Sequence, residues 1–372
     1  MDPIAHTFTG AALAAAGLRR ATPLGAAALI LGANAPDVDV LAAFGGDFQA
    51  LAFRRGWTHG VLALALWPFV LTGVLLAWDR WVRRRRNPAA APARAGPLLA
   101  LSALAVLTHP TLDWVNNYGL RWLMPFDARW FYGDALVVID PWVWLTLGGV
   151  LFLTYSRSRL ARVHWTLFWL LTSFAVLANG ETVPPLARIV WLLGVAALVV
   201  ARVLGLAANR RGVTMERAAA AALALVAIYI GAMVAADRAE RAQVRVALAG
   251  ARVDDVEEVM VAPAVANPLA GEVVASTADV YYTGRWNWLG APRFEPDGEA
   301  ILRPRGAVFE AAALAPQARR FLTWSRFPYV EVEAAADGTL AVRFLDARYR
   351  YTERLEGPTV RLDRDLRVIT AE

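Results

Sequence analysis

The stretch GVLALALWPFVLTGVLLAWDRWVRRRR, Gly60 to Arg86, decides how the chain is read. It carries no charge as far as Trp78, then meets Asp79, Arg80 and the run Arg83–Arg86. A helix crosses a hydrocarbon core of about 30 Å with ~20 apolar residues, so Gly60–Trp81 reads as a membrane span ending in a cytoplasmic basic anchor. Working outward, comparable runs are Pro97–Leu112, Ala135–Tyr155, Trp165–Ala178 and Leu186–Leu206. An alanine-rich sixth, Ala218–Ala236, ends at Asp237 and Arg238. Two shorter pieces come first, Phe8–Leu18 and Pro23–Ala35. Each is about half a bilayer long at ~1.5 Å per residue, which predicts a helical hairpin packed within the bundle. Asp2 and His6 stand where a signal peptide has its basic region, so no cleavable signal is expected.

Composition agrees. The 372 residues are 58% hydrophobic and 19% charged, with a mean hydropathy of +0.41, which excludes intrinsic disorder and a wholly soluble globule. With no Cys there is no disulfide, thiol nucleophile or Cys-ligated zinc. All 38 basic residues are Arg, which points to coding bias rather than a nucleic-acid surface, and no nucleic-acid partner is expected. Arginine also orients the bundle. Alternate connections hold 15 of them (Arg19–Arg20, Arg80–Arg94, Arg157–Arg162, Arg202–Arg217) and the opposite ones 5. The richer side is expected to be cytoplasmic. The N-terminus, Ala35–His59, Leu112–Asp134, Gly180–Pro185 and everything after Asp237 then face outward.

From about residue 240 the apolar runs shrink to strand length and turn signals appear at Asn267-Pro268, Pro296-Asp297-Gly298 and Asp337-Gly338. Tyr329–Ala335 and Thr339–Leu345 read as a hairpin, Val308–Trp324 as a helix and Thr359–Ile369 as a final strand. Tyr281, Tyr282, Trp286 and Trp288 read as core of this part. The expected class is an all-α polytopic membrane helical bundle, residues 1–239, followed by a small extracytoplasmic α+β domain, residues 240–372.

Only four His occur. His6, His59 and His109 fall at outward ends of apolar segments, close to Asp37, Asp39, Asp113, Asp134 and Asp140; His164 lies on the other side and reads as structural or interfacial. Ionisable groups inside apolar segments are costly and mark candidate sites. A proton or ion pathway needs polar groups at several depths, and the inner halves of these helices hold almost none. His109 and Asp113 are four apart, one turn of helix, although Pro110 predicts that the helix restarts there with His109 as its cap. An imidazole and a carboxylate so placed suit Zn²⁺ or a similar ion. With His6, His59 and Asp37 they form a mixed set with enough carboxylate for one or two ions.

Four motifs in order, His6-Thr-Phe-Thr-Gly10, Ala35-Pro-Asp-Val-Asp39, Arg55-Gly-Trp-Thr-His-Gly60 and His109-Pro-Thr-Leu-Asp113, resemble the bacterial membrane-bound metal-dependent hydrolases, a group of inner-membrane proteins some of which are LexA-regulated. The resemblance covers roughly residues 1–150. More remotely, the ligand order is similar to the zinc-dependent phospholipase C and P1 nuclease superfamily. That likeness implies Asp37, His59, His109 and Asp113 around one ion, with Asp113 bridging to a second that His6 also holds. The soluble members add a main-chain ligand from an N-terminal Trp and a His/His/Glu group for a third ion; this chain begins Met1-Asp2-Pro3 and has only His164 left over.

The expected activity is hydrolysis of a phosphoester, or another ester, of a lipid-linked or amphiphilic substrate by metal-activated water. Asp39 or Asp140 is the expected general base, and Arg55 and Arg121, with Arg54, the expected phosphate clamps. The site is expected at the outer boundary of a bacterial inner membrane, ringed by Trp57, Trp114 and Trp122. Two readings compete: a metal or ion transporter, and a non-catalytic scaffold with a structural metal site. No GxSxG elbow or glycine-rich phosphate loop is present.

Overall fold

The computed structural model describes residues 1–179, 183–205, 214–351 and 357–371. Two expectations fall partly elsewhere: residues 180–182 of the Gly180–Pro185 connection, and Leu206, Arg210 and Arg211, lie outside the described residues. The chain divides into two units. The first comprises Met1–Val38, Arg55–Ala236 and Pro263–Pro268; the second comprises Asp39–Arg54, Asp237–Ala262 and Leu269–Glu372.

The first unit is helical. Helix α1 (Pro3–Ala15) starts where Asp2 caps it, accepting from the Ile4 and Ala5 N–H groups, with Pro3 preset for the first turn. Helix α2 (Gly25–Gly32) packs against it. The two helices touch because Gly10 has no side chain: a Cβ there would lie 2.4 Å from the Leu29 carbonyl oxygen. In apolar bundles such small residues permit close backbone approach. The short α3 (Asp47–Phe53) belongs to the second unit; the first continues with α4 (Val61–Arg86), α5 (Ala95–Trp114), α6 (Pro141–Tyr155), α7 (Arg159–Ala178), α8 (Pro185–Val203) and α9 (Met215–Gly250), the last as far as Ala236.

Five helices among the described residues, α4, α5, α7, α8 and α9, are long and apolar enough to cross a membrane. Three expectations need correction. The run from Ala135 is helical only from Pro141, because Asp140 caps the Trp142 and Val143 N–H groups and the residues before it are extended, Leu136 bridging to Asn116. That leaves α6 too short to span by length alone. The sixth run, in contrast, does not stop at Asp237. It is part of the 36-residue α9, which continues to Gly250 because neither Pro nor an N-capping break intervenes, and Asp237 pairs with Arg241 one turn on. Third, α5 runs unbroken through Pro110.

In the second unit, β1 (Glu258–Ala264), β2 (Asn267–Ser276), β3 (Val280–Asn287) and β4 (Phe294–Pro296) form one sheet in that order, with β5 (Ile301–Leu302) also on β3. A second sheet has the order β6 (Pro328–Ala334), β7 (Leu340–Asp346), β8 (Thr359–Leu362), β9 (Val368–Ala371). The expected hairpin is β6–β7, in register Ala334 to Leu340 around Asp337-Gly338. The expected single helix is two, α10 (Ala307–Ala313) and α11 (Pro316–Trp324), because Pro316 starts a new first turn. The expected last strand is likewise two, β8 and β9, folded back at a turn where Asp363 accepts from the Asp365 and Arg367 N–H groups. Tyr281 and Trp286 are buried, the latter edge-on to Trp288 at 5.3 Å. They are core.

Candidate metal centre

The site grows from four local structures of the first unit. One turn into α1, His6 lies fully buried. Asp37 follows α2 on the 3-10 segment Ala35–Gly45, where Thr7 of α1 donates to the Asn34 side chain at 3.2 Å. His59 sits on the turn that opens α4: its own N–H and that of Gly60 both donate to the Gly56 carbonyl. There is no room for a side chain at Gly60, whose Cβ would lie 2.3 Å from the Met124 carbonyl oxygen. His109 and Asp113 occupy one face of α5, four residues apart and both fully buried. Because the helix continues through Pro110, His109 is a helical residue rather than a cap.

The five side chains converge. The His6 and His109 rings stack at 3.8 Å, and the His59 and His109 Nε2 atoms are 3.1 Å apart. Asp113 lies 3.3 Å from His6 Nε2, 3.3 Å from His59 Nε2 and 3.4 Å from His109 Nε2, while Asp37 is 3.7 Å from His109 Nε2. Two overlapping ligand groups result, His6/His109/Asp113 and Asp37/His59/His109, each with its donor atoms within 4.8 Å of one another. Ligands bound tetrahedrally at ~2.0–2.2 Å stand about 3.3–3.6 Å from each other, the spacing found here.

Donor chemistry supports the same fit. His109 Nδ1 is 2.7 Å from the Ala33 carbonyl oxygen, an acceptor only, so Nδ1 carries the proton and Nε2 turns a lone pair to the cluster. Neither ring nitrogen of His6, nor Oδ2 of Asp113, makes a hydrogen bond. Buried polar atoms left in that condition cost about 1–3 kcal/mol each, and a cation satisfies acceptors gathered in this way.

Asp113 also has two partners that the sequence reading did not assign to it. Arg55 Nη2 approaches Oδ1 at 3.1 Å, and the Met1 amino group pairs with the same oxygen. Arg55, expected as a phosphate clamp, is thus already engaged by a carboxylate of the protein itself. It is buried, donates to Asn116 Oδ1 at 2.9 Å and Gly119 O at 3.3 Å, and lies 4.4 Å over the Tyr118 ring. Its backbone is left-handed, φ 53°, a conformation costing roughly 1–2 kcal/mol outside glycine. Arg121 is buried as well, against Trp130 at 4.9 Å and over Gly56, which leaves it space. Asn116 and Tyr118 were missed; the polar Asn116-Asn-Tyr118 directly after a span was the available signal.

Neither expected general base belongs to the ligand groups. The Asp39 carboxylate faces Arg54 at 3.6 Å, and Asp140 is occupied as a helix cap and by the Tyr229 hydroxyl at 3.0 Å. His164 bonds its own helix at Leu160 O and stays outside the centre. Trp57 is exposed and Trp114 borderline. Of the five ligand candidates, Asp37 alone has appreciable exposure, 15% of its side chain, although its Oδ2 is itself buried.

Fold and site together define a multi-pass membrane protein with a buried His/Asp centre where its helices begin and end. Residues 1–182 match the family model described as YdjM inner membrane protein, and with the five spans this fits a multi-pass protein of the inner membrane. The chain is also similar to the uncharacterized protein YfhP of Bacillus subtilis (strain 168), 22% identical over 147 residues. That stretch is 40% of this chain and 42% of the relative. No solved structure matches.

Proposed function

We propose that this chain is a membrane-bound hydrolase dependent on a divalent metal, Zn²⁺ in the first instance, and that it cleaves a phosphoester or related ester of an amphiphilic, lipid-linked substrate. The carrying observation is the convergence of three imidazoles and two carboxylates with His6 and Asp113 atoms left unbonded. His6 and Asp113 would hold one ion, and Asp37 and His59 the position beside it, with the single free Nε2 of His109 serving one of the two, one or two ions in all. A bound ion supplies a Lewis acid and a water acidified toward neutral pKa.

The chain's own residues do the rest. Ala33 O sets the His109 tautomer, and Thr58 Oγ1, 2.9 Å from His59 Nδ1, orients that ring. Arg55 neutralises Asp113 and holds it in place. Asp37, the least buried of the five ligand candidates, is the group that would take a proton from water. Centre and second unit face outward in this reading, which takes the α6 segment as a sixth crossing, as the split of 15 arginines against 5 requires.

Elemental analysis of the detergent-purified protein tests the proposal, with His109→Ala and Asp113→Ala beside it. One or two zinc or manganese ions per chain, lost in both variants, are expected, together with metal-dependent hydrolysis of a chromogenic phosphodiester. Absence of bound metal after metal-replete purification would sink it.

A further inference from the structure

A groove of about 270 Å³ runs between α5 and α9, closed at its base by α1 and α6. Its walls are Leu104, Leu107 and Leu112 on one side and Leu223, Val226 and Ile230 on the other. Three threonines also line it, and each turns its hydroxyl back onto its own helix: Thr9 to Ala5 O at 2.8 Å, Thr108 to Ala105 O at 2.7 Å, Thr111 to Leu107 O at 2.8 Å. The groove therefore shows almost entirely hydrocarbon, in spite of its threonines.

Depth identifies the occupant. Leu104 is halfway along the 20-residue span of α5 and Leu112 is beside Asp113 at its end, a run of about 12 Å at 1.5 Å per residue. That is the depth of roughly one leaflet of a 30 Å core. The upper end lies one turn or less from the ligands on two helices, since Thr9 follows His6 by three residues and Leu112 follows His109 by three. Both walls belong to helices long and apolar enough to span, so lipid is the solvent that meets the opening.

We infer that this groove holds one acyl chain of a membrane glycerolipid, tail at mid-membrane and ester-bearing head level with the His/Asp centre. The inference rests on the hydrolase reading and narrows its substrate to a lipid of the leaflet that the centre faces. Leaving bilayer for groove gains little hydrophobic free energy, because lipid tails are as apolar as Leu. The groove acts by registering the head against the ligands, not by extracting the lipid.

The test is photolabelling in phosphatidylcholine vesicles containing phosphatidylcholine with a diazirine along one chain, with labelled residues mapped by mass spectrometry. Labels concentrated on Leu104–Leu112 and Leu223–Ile230, and lost in Ala227→Trp, which plugs the groove, are expected. Labels spread evenly over outward-facing residues such as Leu193 and Phe174 would overturn the inference. So would labelling that survives the plug. The map of the unaltered protein decides even where the Trp variant fails to fold, and Leu104→Trp plugs the groove from the opposite wall. Metal content measured on the same vesicles separates the two claims: grooved labelling without metal removes the hydrolase and keeps the lipid site, whereas metal with even labelling removes the lipid site alone.

Discussion

Replacing Asp113 by Asn keeps the shape of the side chain and removes one negative charge from the middle of the centre. In the native arrangement that charge faces Arg55 at 3.1 Å, the Met1 amine and three imidazoles, all buried. Removing one partner of a buried ion pair typically costs about 3–5 kcal/mol, since the remaining charge keeps its desolvation penalty. At about 2 °C per kcal/mol for a chain of this size, the melting temperature in detergent should fall by roughly 6–10 °C. Metal affinity should fall at least about 100-fold, more than is usual for the loss of a supporting residue around a metal. The double variant Asp113→Asn/Arg55→Met separates the two effects. With both charges gone, much of the thermal stability should return, while the metal stays absent. Differential scanning fluorimetry with elemental analysis on the same samples reads both. If Asp113→Asn keeps its metal and melts within about 1 °C of the parent, the electrostatic reasoning here is wrong.

Gly60→Ala should disorder the turn that presents His59, because the new methyl collides with the Met124 carbonyl; metal content should drop although no ligand is altered. In the second unit, burial alone would raise the carboxyl of Asp346, but Arg348 at 2.9 Å, Ser325 and backbone N–H groups override it and hold it below the usual carboxylate range. A depressed folded-state pKa stabilises above the unfolded value of ~3.9 and is lost as pH falls through the folded one. Protection of the β7 amides in the full chain, taken relative to their intrinsic exchange rate at each pH, should thus fall only below about pH 4, and Asp346→Asn, at a cost of about 3–5 kcal/mol, should lower it at neutral pH too. Finally, the chain has no Cys, so single cysteines report orientation cleanly. An impermeant maleimide should label Ala336→Cys on intact cells and Arg85→Cys only after lysis; the reverse pattern inverts the proposed topology.

Much of this molecule is legible in local sequence. Spans follow from transfer free energy summed over consecutive residues, a quantity that needs no knowledge of neighbours, which is why α4, α5 and α8 lie close to their hydropathy runs. Ligand identity is legible for a related reason: polar groups in apolar segments are expensive, so the few present must gather, as His6, His59, His109, Asp37 and Asp113 do. What local reading misjudged depends on partners distant in the chain. Pro110 does not end α5, which runs on through it while packed against α2 and α4. Arg55 looks like a surface charge until the fold sets Asp113 and Asn116 around it, 58 and 61 residues further on. Likewise Asp39 and Asp140 carry the same chemistry as Asp37, and only their neighbours, Arg54 and Tyr229, show them already engaged. Residue types determine which side chains can bind a metal; the tertiary structure alone decides which share one, because that is a matter of a few ångströms between elements far apart in sequence.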